Sequence, residues 1–271
     1  MQPSKDVRAL TAEFDRSYLL GRLPALREVD CCVTGCDYGA TSWTTRREAE
    51  QLAEWLELSP SIRLLDVGAG SGWPGLYFAR ITGCDVTLSD LPLAGLRIAA
   101  ERAAAEELIG RCAVVLADGA RLPFRDGVFD RVSHSDVLCC TPAKLEMLNE
   151  CRRVTRANAR MAFSVIVLAP ELSPADRACG LGAGPPFVET PDAYPNMLDQ
   201  SGWRMIDRVD VTPEYLQSAR ALVEAMKLRV EALTEAYGSA DFAARKQRRE
   251  AALAATERGL LKREILLAVA T

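Results

Sequence analysis

The segment Leu64-Leu65-Asp66-Val67-Gly68-Ala69-Gly70-Ser71-Gly72 constrains this chain more than any other. An apolar run ends in an acidic residue and then places glycine at every second position. A buried parallel strand hands over to a tight loop and a helix in this way, because glycine takes positive φ freely and lets a ligand approach the backbone closely. Trp73-Pro74-Gly75-Leu76-Tyr77-Phe78-Ala79-Arg80 reads as the helix, with Pro74 in its first turn, where a missing N–H costs nothing. A helix start carries unpaired N–H groups and partial positive charge, so anions and carboxylates dock there. The spacing therefore predicts a ligand-binding strand, loop and helix.

Strands and helices alternate around this unit. Residues 62–67, Cys84–Ser89, Cys112–Ala117, Arg131–Leu138 and Arg160–Leu168 read as strands, with helices at Leu93–Leu108 and from Thr141-Pro142 to about Val154. Apolar strands alternating with helices predict an α/β fold with a doubly wound, mostly parallel sheet covered on both faces. Upstream, Val7, Leu10, Phe14 and Tyr18 recur at helical spacing and predict one amphipathic helix within residues 4–28. Thr45-Arg46-Arg47-Glu48 has the form of a capping box opening a helix through Leu52, Trp55 and Leu56. Downstream, Ala169–Pro195 lacks periodicity and reads as a long loop of the kind that forms a lid or substrate wall. Gly202–Val211 and Leu261–Ala270 read as the sixth and seventh strands, and Thr212–Tyr237 and Ala240–Arg258 as two helices between them. The expected organisation is N-terminal helices and a lid over residues 1–60, then an α/β domain over 61–271. A helical insertion at 212–258 covers the C-terminal edge of its sheet.

With 271 residues, 49% hydrophobic and 26% charged, the chain can build a full core. Its net charge of −4 argues against nucleic acid or an anionic membrane as a partner. The basic run Arg245-Lys246-Gln247-Arg248-Arg249 lies inside a helical stretch and reads as a solvated helix face. No apolar run approaches the ~20 residues needed to span a bilayer. Nine cysteines, an odd number without CxxC spacing, and no visible signal peptide suggest reduced thiols in the cytoplasm. Cys31, Cys32 and Cys36 lack a second ligand pair, so no metal site is expected.

Ligands of open α/β sheets bind at the carboxyl ends of the strands. That rule gathers Asp66, the glycine loop, Asp90, Asp118 and Asp136 at one rim. The set resembles class I S-adenosylmethionine-dependent methyltransferases over roughly residues 35–271. The resemblance is carried by Asp66–Gly72, by Asp90 after the second strand and by Asp118-Gly119 after the third. Phe129-Asp130, Ser201-Gly202-Trp203 and the final strand add to it. It implies a Rossmann-like seven-stranded fold and S-adenosylmethionine as cofactor. It also implies that Gly68, Ala69, Gly70 and Gly72 receive the amino-acid end, with Asp66 holding the ammonium directly or through water. Asp90 would take both ribose hydroxyls, since one carboxylate accepts two hydrogen bonds. Asp118 would accept from the adenine amino group, Leu91 and Gly119-Ala120 would sandwich the ring, and Ser135-Asp136 would complete the methionine pocket.

The acceptor side resembles the branch acting on small amines and on hydroxyls of natural products. Tyr38-Gly39-Ala40-Thr41-Ser42-Trp43 is similar to that branch's N-terminal lid element, with Tyr38 and Trp43 as candidate pocket walls. The histidine that such proteins place after strand four is matched here by Cys139-Cys140, two small thiols that read as buried apolar side chains or as ligands for a soft substrate. The candidates for catalysis are therefore His134, Asp136 and Tyr38. Strand alternation turns His134 and Asp136 to one side, and His134 reads either as a core histidine or as a general base. A neutral amine needs no strong base to attack a sulfonium methyl, which leans the acceptor toward an amine or a hydroxyl on a small metabolite. Two other readings stand beside this one. Gly70-Ser71-Gly72-Trp73-Pro74-Gly75 matches GxGxxG, with Asp90 twenty residues beyond Gly70, as in an NAD-type oxidoreductase; that register leaves Asp118 unexplained. The third is a non-catalytic cofactor-binding scaffold.

Overall fold

A computed structural model describes residues 5–38, 41–106, 108 and 110–271. Seven strands are β1 (Arg63–Val67), β2 (Asp85–Asp90), β3 (Cys112–Leu116), β4 (Phe129–Ser135), β5 (Thr155–Leu168), β6 (Trp203–Asp210) and β7 (Leu261–Ala270). They form one sheet in the order β3-β2-β1-β4-β5-β7-β6. β1 through β5 pair in parallel, and β7 runs antiparallel to both of its neighbours. This is the seven-stranded, mostly parallel sheet that the strand–helix alternation predicts.

The helices described are α1 (Lys5–Leu20), α2 (Pro24–Thr34), α3 (Arg46–Trp55), α4 (Gly75–Thr82), α5 (Leu93–Ala105), α6 (Lys144–Val154), α7 (Pro174–Ala183), α8 (Tyr194–Gln200), α9 (Thr212–Leu228), α10 (Val230–Tyr237) and α11 (Ser239–Glu257). Alternate residues of each strand feed two cores, as the pleat requires. Leu64 and Leu88 pack with Leu52 of α3, Leu76 and Phe78 of α4 and Ala99 of α5. Leu65 and Val67 point the other way, to Met147 and Leu148 of α6, Met197 and Leu198 of α8, and Trp203. Both faces are covered, so the sheet is doubly wound.

Three local expectations change. The single helix expected within residues 4–28 is two, because Pro24 starts a new helix and cannot extend the one before it. The long loop at Ala169–Pro195 contains α7, which Ser173 caps by accepting from the Asp176 N–H at 3.1 Å, and the start of α8. The helix expected at Thr212–Tyr237 divides at Arg229, whose backbone leaves the helical region (φ −124°, ψ 32°) and whose guanidinium meets Glu28. The capping box of α3 forms as expected, with Thr45 and Glu48 bonded reciprocally at 2.8 and 3.2 Å.

Glu48 does a second job through its other oxygen. Arg263 of β7, fully buried, donates to Glu48 Oε1 at 2.7 Å and to Thr44 Oγ1 at 3.2 Å. It also grips Asp136, just past β4, at 2.9 and 3.2 Å. One cation thus joins β7, the end of β4, α3 and the segment before α3. Removing one member of such a cluster strands the others' charges in a medium that solvates them poorly. We expect Arg263→Met to lower unfolding free energy by about 3–5 kcal/mol, the range for a broken buried pair, read from urea denaturation. A loss below about 1 kcal/mol, the size of an exposed pair, would show that the cluster does not carry this load.

Candidate cofactor and acceptor site

β1 ends at Val67, and the chain turns through Gly68 (φ 72°) and Gly70 (φ 53°). A Cβ on Gly68 would lie 2.3 Å from a Val137 methyl carbon, and one on Gly70 would lie 2.4 Å from the Tyr18 hydroxyl. Both conformation and space demand glycine there. The loop is held from beneath: Gly68 and Ala69 donate to the Ser89 carbonyl at 2.7 and 3.2 Å, and Gly70 donates to Asp90 Oδ2 at 2.8 Å. Asp90 Oδ1 accepts from the Leu91 N–H at 2.8 Å, and burial pushes the Asp90 carboxyl up to about 6. Asp118, just beyond β3, accepts from the Ala120 N–H at 2.9 Å.

A cavity of about 860 Å³ opens at these strand ends. Among the residues expected to bind a ligand, Gly68, Ala69, Gly70, Asp90, Leu91, Asp118, Gly119, Ser135 and Asp136 line it. The Ser135 hydroxyl is buried without a hydrogen-bond partner in the protein. Cys139, Cys140 and Trp43 line the cavity too.

Four of the expected site residues lie off its wall. Asp66 turns to the α4 face of the sheet, where Oδ1 accepts from Ser133 Oγ at 2.7 Å. Its Oδ2 rests against the Gly75 backbone without a well-formed hydrogen bond, and burial pushes the carboxyl up to about 7. It supports the start of α4 rather than reaching an ammonium. Gly72 (φ 99°) is glycine because Leu76 and Ala99 close over it. His134 stays within β4, 1% exposed, its ring stacked on Phe163 at 4.5 Å and neither nitrogen hydrogen-bonded. Burial pushes its pKa down to about 3, so it is a neutral core residue at ordinary pH. Tyr38 packs on Trp73 at 5.2 Å and donates to Glu106 at 3.0 Å, away from the cavity; the neighbouring Gly39 and Ala40 lie outside the described residues.

Asp136 reaches the wall but is fully committed. Left-handed backbone (φ 58°) breaks the strand alternation that would pair it with His134. Its carboxylate accepts from the Trp43 N–H (3.0 Å), Ser42 Oγ (3.3 Å), Ser164 Oγ (3.1 Å) and Arg263. It anchors the wall of the cavity and has no capacity left to act as a base.

Other wall residues were not among those expected. Val7, Leu10, Phe14 and Tyr18 all line the cavity from α1; their helical spacing was visible, but the same pattern describes ordinary packing. Tyr18 roofs Gly70 and lies 3.1 Å from Thr41 Oγ1, while Asp15 ties α1 to the start of α5 by accepting from the Ala94 N–H at 2.7 Å. Tyr215 of α9 lines the cavity as well, and so do Arg245, Arg248 and Arg249 of α11. The basic run read as a solvated face is exposed at Gln247, Arg248 and Arg249, and four of its five members also line the cavity.

A family model described as a methyltransferase domain matches residues 65–163, which span β1 through the middle of β5. With the fold, the glycine loop and the relatives below, this places the chain in the class I S-adenosylmethionine-dependent methyltransferases. It is 30% identical over 194 residues to the methyltransferase GfsG of Streptomyces halstedii, covering 70% of this chain and 69% of that protein. The 27-O-demethylrifamycin SV methyltransferase of Amycolatopsis mediterranei is 29% identical over 174 residues, 62% of this chain and 63% of that one. Among solved structures, the [4+2]-cyclase SpnF superposes with a TM-score of 0.77 at 21% identity, covering 100% of this chain and 97% of its own. Phosphoethanolamine N-methyltransferase 2 of Haemonchus contortus, solved with S-adenosyl-L-methionine, gives 0.75 at 15% identity, covering 94% and 60%.

The enzyme's cofactor is S-adenosylmethionine, and the residues present fit it. The glycine loop lines the cavity at Gly68 and Gly70, two carboxylates stand beyond it at successive strand ends, and a buried serine hydroxyl lacks a partner. Among the described residues no group of three or more His, Cys, Asp or Glu is arranged to hold a metal ion, and no helix is long and apolar enough to cross a membrane. All nine cysteines are free thiols.

The Asp66 carboxyl binds a proton more tightly folded than unfolded, since its pKa rises from 3.8 to about 7. Between these values the native state holds the extra proton, so this group's contribution to stability falls as pH rises from about 4 to about 7. We expect Asp66→Asn to flatten that limb of the stability–pH profile, whatever it does to absolute stability. An unchanged slope in urea titrations across this range would contradict the assignment.

Proposed function

We propose that the chain transfers the methyl group of S-adenosylmethionine to a small molecule, at an amine nitrogen or a hydroxyl oxygen. The observation that carries this reading is a single cavity with two kinds of wall. One wall is the glycine loop with Asp90 and Asp118; the other is apolar and aromatic, built from Phe14, Tyr18, Trp43 and Tyr215. Its volume stands near the upper end of the roughly 300–1,000 Å³ of single-ligand pockets, which suits a cofactor and a second small molecule together.

In this reading the Gly68–Gly70 backbone and the Ser135 hydroxyl receive the amino-acid end. Asp90 keeps lone pairs beyond the two it gives to Gly70 and Leu91, and these take the ribose hydroxyls. Asp118 accepts from the adenine amino group, with Leu91 and Gly119 against the ring. Bound there, S-adenosylmethionine supplies a methyl group on a sulfonium, which is electrophilic without further activation. That methyl would pass to an acceptor nitrogen's lone pair, the nitrogen–carbon bond forming as the sulfur–carbon bond breaks, with the nitrogen's proton lost to water. His134 is sealed in the sheet and Asp136 is spent on Arg263, so neither serves as base. Rate then comes from holding the acceptor in line and dry under α1 and α11; orientation of this kind is worth about 7–11 kcal/mol in favourable intramolecular models. A readily deprotonated acceptor suits such a site. The names of the relatives include a 27-O-demethylrifamycin SV methyltransferase, glycine/sarcosine N-methyltransferases and a sterol C-methyltransferase.

Incubation with S-adenosylmethionine carrying a deuterated methyl group, in a small-molecule extract, should label a low-mass product and generate S-adenosylhomocysteine. Asp90→Ala should weaken S-adenosylhomocysteine binding by about 10–100-fold by calorimetry, the equivalent of a charged hydrogen bond of ~1.5–3 kcal/mol. Wild-type protein that binds NADH but no S-adenosylhomocysteine would overturn the reading.

A further inference from the structure

We propose that the acceptor half of the cavity contains a carboxylate subsite centred on Arg249, so that the molecule methylated carries an acidic group on an apolar body. This deepens the methyltransferase reading and rests on it.

Three arginines of α11 line the cavity, and they are partnered differently. Arg248 meets Glu13 at 3.1 Å. Arg245 lies over the Tyr237 ring at 4.6 Å and reaches Ser17 Oγ at 3.4 Å. Arg249 has a different arrangement: its guanidinium carbon stands 5.2 Å from the centre of the Trp43 ring, and no carboxylate among the described residues pairs with it. The groups that act on it are the Tyr215 and Tyr237 phenols together with Arg245 and Arg248, the two cations sharing its sign. Its side chain is exposed, so the guanidinium is open to a ligand in the cavity.

Of the other acids on this cavity, Glu13 meets Arg248 and Glu146 stands on α6. Asp90 and Asp118 stand at the strand ends on the cofactor wall, and Asp136 is saturated by Arg263. Many of the chain's arginines meet a carboxylate, Arg16, Arg153, Arg177 and Arg258 among them. One held on a cavity wall with cationic neighbours is short of an anion.

The geometry suits a carboxylate. A guanidinium held over an aromatic ring still has N–H donors to give, and its rigid fork matches the two oxygens of a carboxylate. Trp43 is itself immobilised. Its N–H is bonded to Asp136, and its ring meets Tyr215 edge-on at 4.9 Å and 81°. Arg249 therefore sits on a platform fixed by the buried ion cluster, which reduces the entropy lost when it closes on a ligand. Leu10, Phe14 and Ile166 of the same cavity provide apolar surface for the rest of the molecule.

The test uses the full-length protein loaded with S-adenosylhomocysteine, and benzoate and octanoate as probes against their neutral amides, benzamide and octanamide. Calorimetry should show at least one acid binding about tenfold or more tighter than its amide, as a charge-assisted bidentate contact requires. Arg249→Gln should reduce that acid-to-amide ratio to near one and leave S-adenosylhomocysteine affinity unchanged, while Arg249→Lys should restore part of it. The subsite is disproved if no acid outbinds its amide in the wild type, or if Arg249→Gln keeps the preference. Failure of S-adenosylhomocysteine itself to bind would instead count against the methyltransferase reading, so the two failures are distinguishable.

Discussion

The shape of the cavity depends on a charge that never meets solvent. Arg263 enters the sheet on the antiparallel strand β7 and is neutralised from two directions, by Glu48 of α3 and by Asp136 past β4. Burying an arginine is tolerable only when its hydrogen bonds and its charge are both met, and here four of its contacts meet them. The consequences run outward. Glu48 completes the α3 capping box with its second oxygen. Asp136 fixes the Trp43 backbone and Ser42 with its remaining lone pairs. The acceptor wall is thus positioned by a residue near the C-terminus of the chain, through Glu48 and through Asp136, which looks at first like a catalytic candidate.

Four acids stand at four strand ends, and they divide by the direction of their side chains. Asp66 and Asp136 are structural: one accepts from Ser133 of β4 within a core, and the other is consumed by Arg263. Asp90 and Asp118 face the cavity. Asp90 links the two roles, because it holds the Gly70 amide while remaining on the wall. The loop is therefore set in place before any ligand arrives, and α1 closes it from above through Tyr18 and Asp15. Pre-organisation of this kind lowers the ordering cost of binding.

The strand–loop–helix unit, the seven strands and the family were legible because each rests on local chemistry: glycine spacing, apolar periodicity and acids at strand ends. What lay beyond reach was the orientation of single residues. Asp66 and Val67 are neighbours in one strand and face opposite cores. Asp136 escapes the alternation of β4 because its backbone is left-handed, a state that its own sequence does not announce. His134 resembled a base by type, yet burial against Phe163 makes it a core ring. The Arg245–Arg249 run looked like a solvated face because helical periodicity says nothing of what a distant segment brings to that face; only folding sets α11 beside Trp43 and α1. Tyr18 was masked in the same way, by a stripe that serves packing and cavity lining alike.

The central claim is that the glycine loop, Asp90 and Asp118 act as one cradle under a roof made by α1. Hydrogen–deuterium exchange with and without S-adenosylhomocysteine addresses it most directly. Slowed exchange is expected together in the 68–72 loop, at residues 90–92, at 118–120 and along α1, with the distant strand β6 unaffected. Protection that appeared in only one of these segments, or that fell elsewhere while the ligand was demonstrably bound, would contradict it.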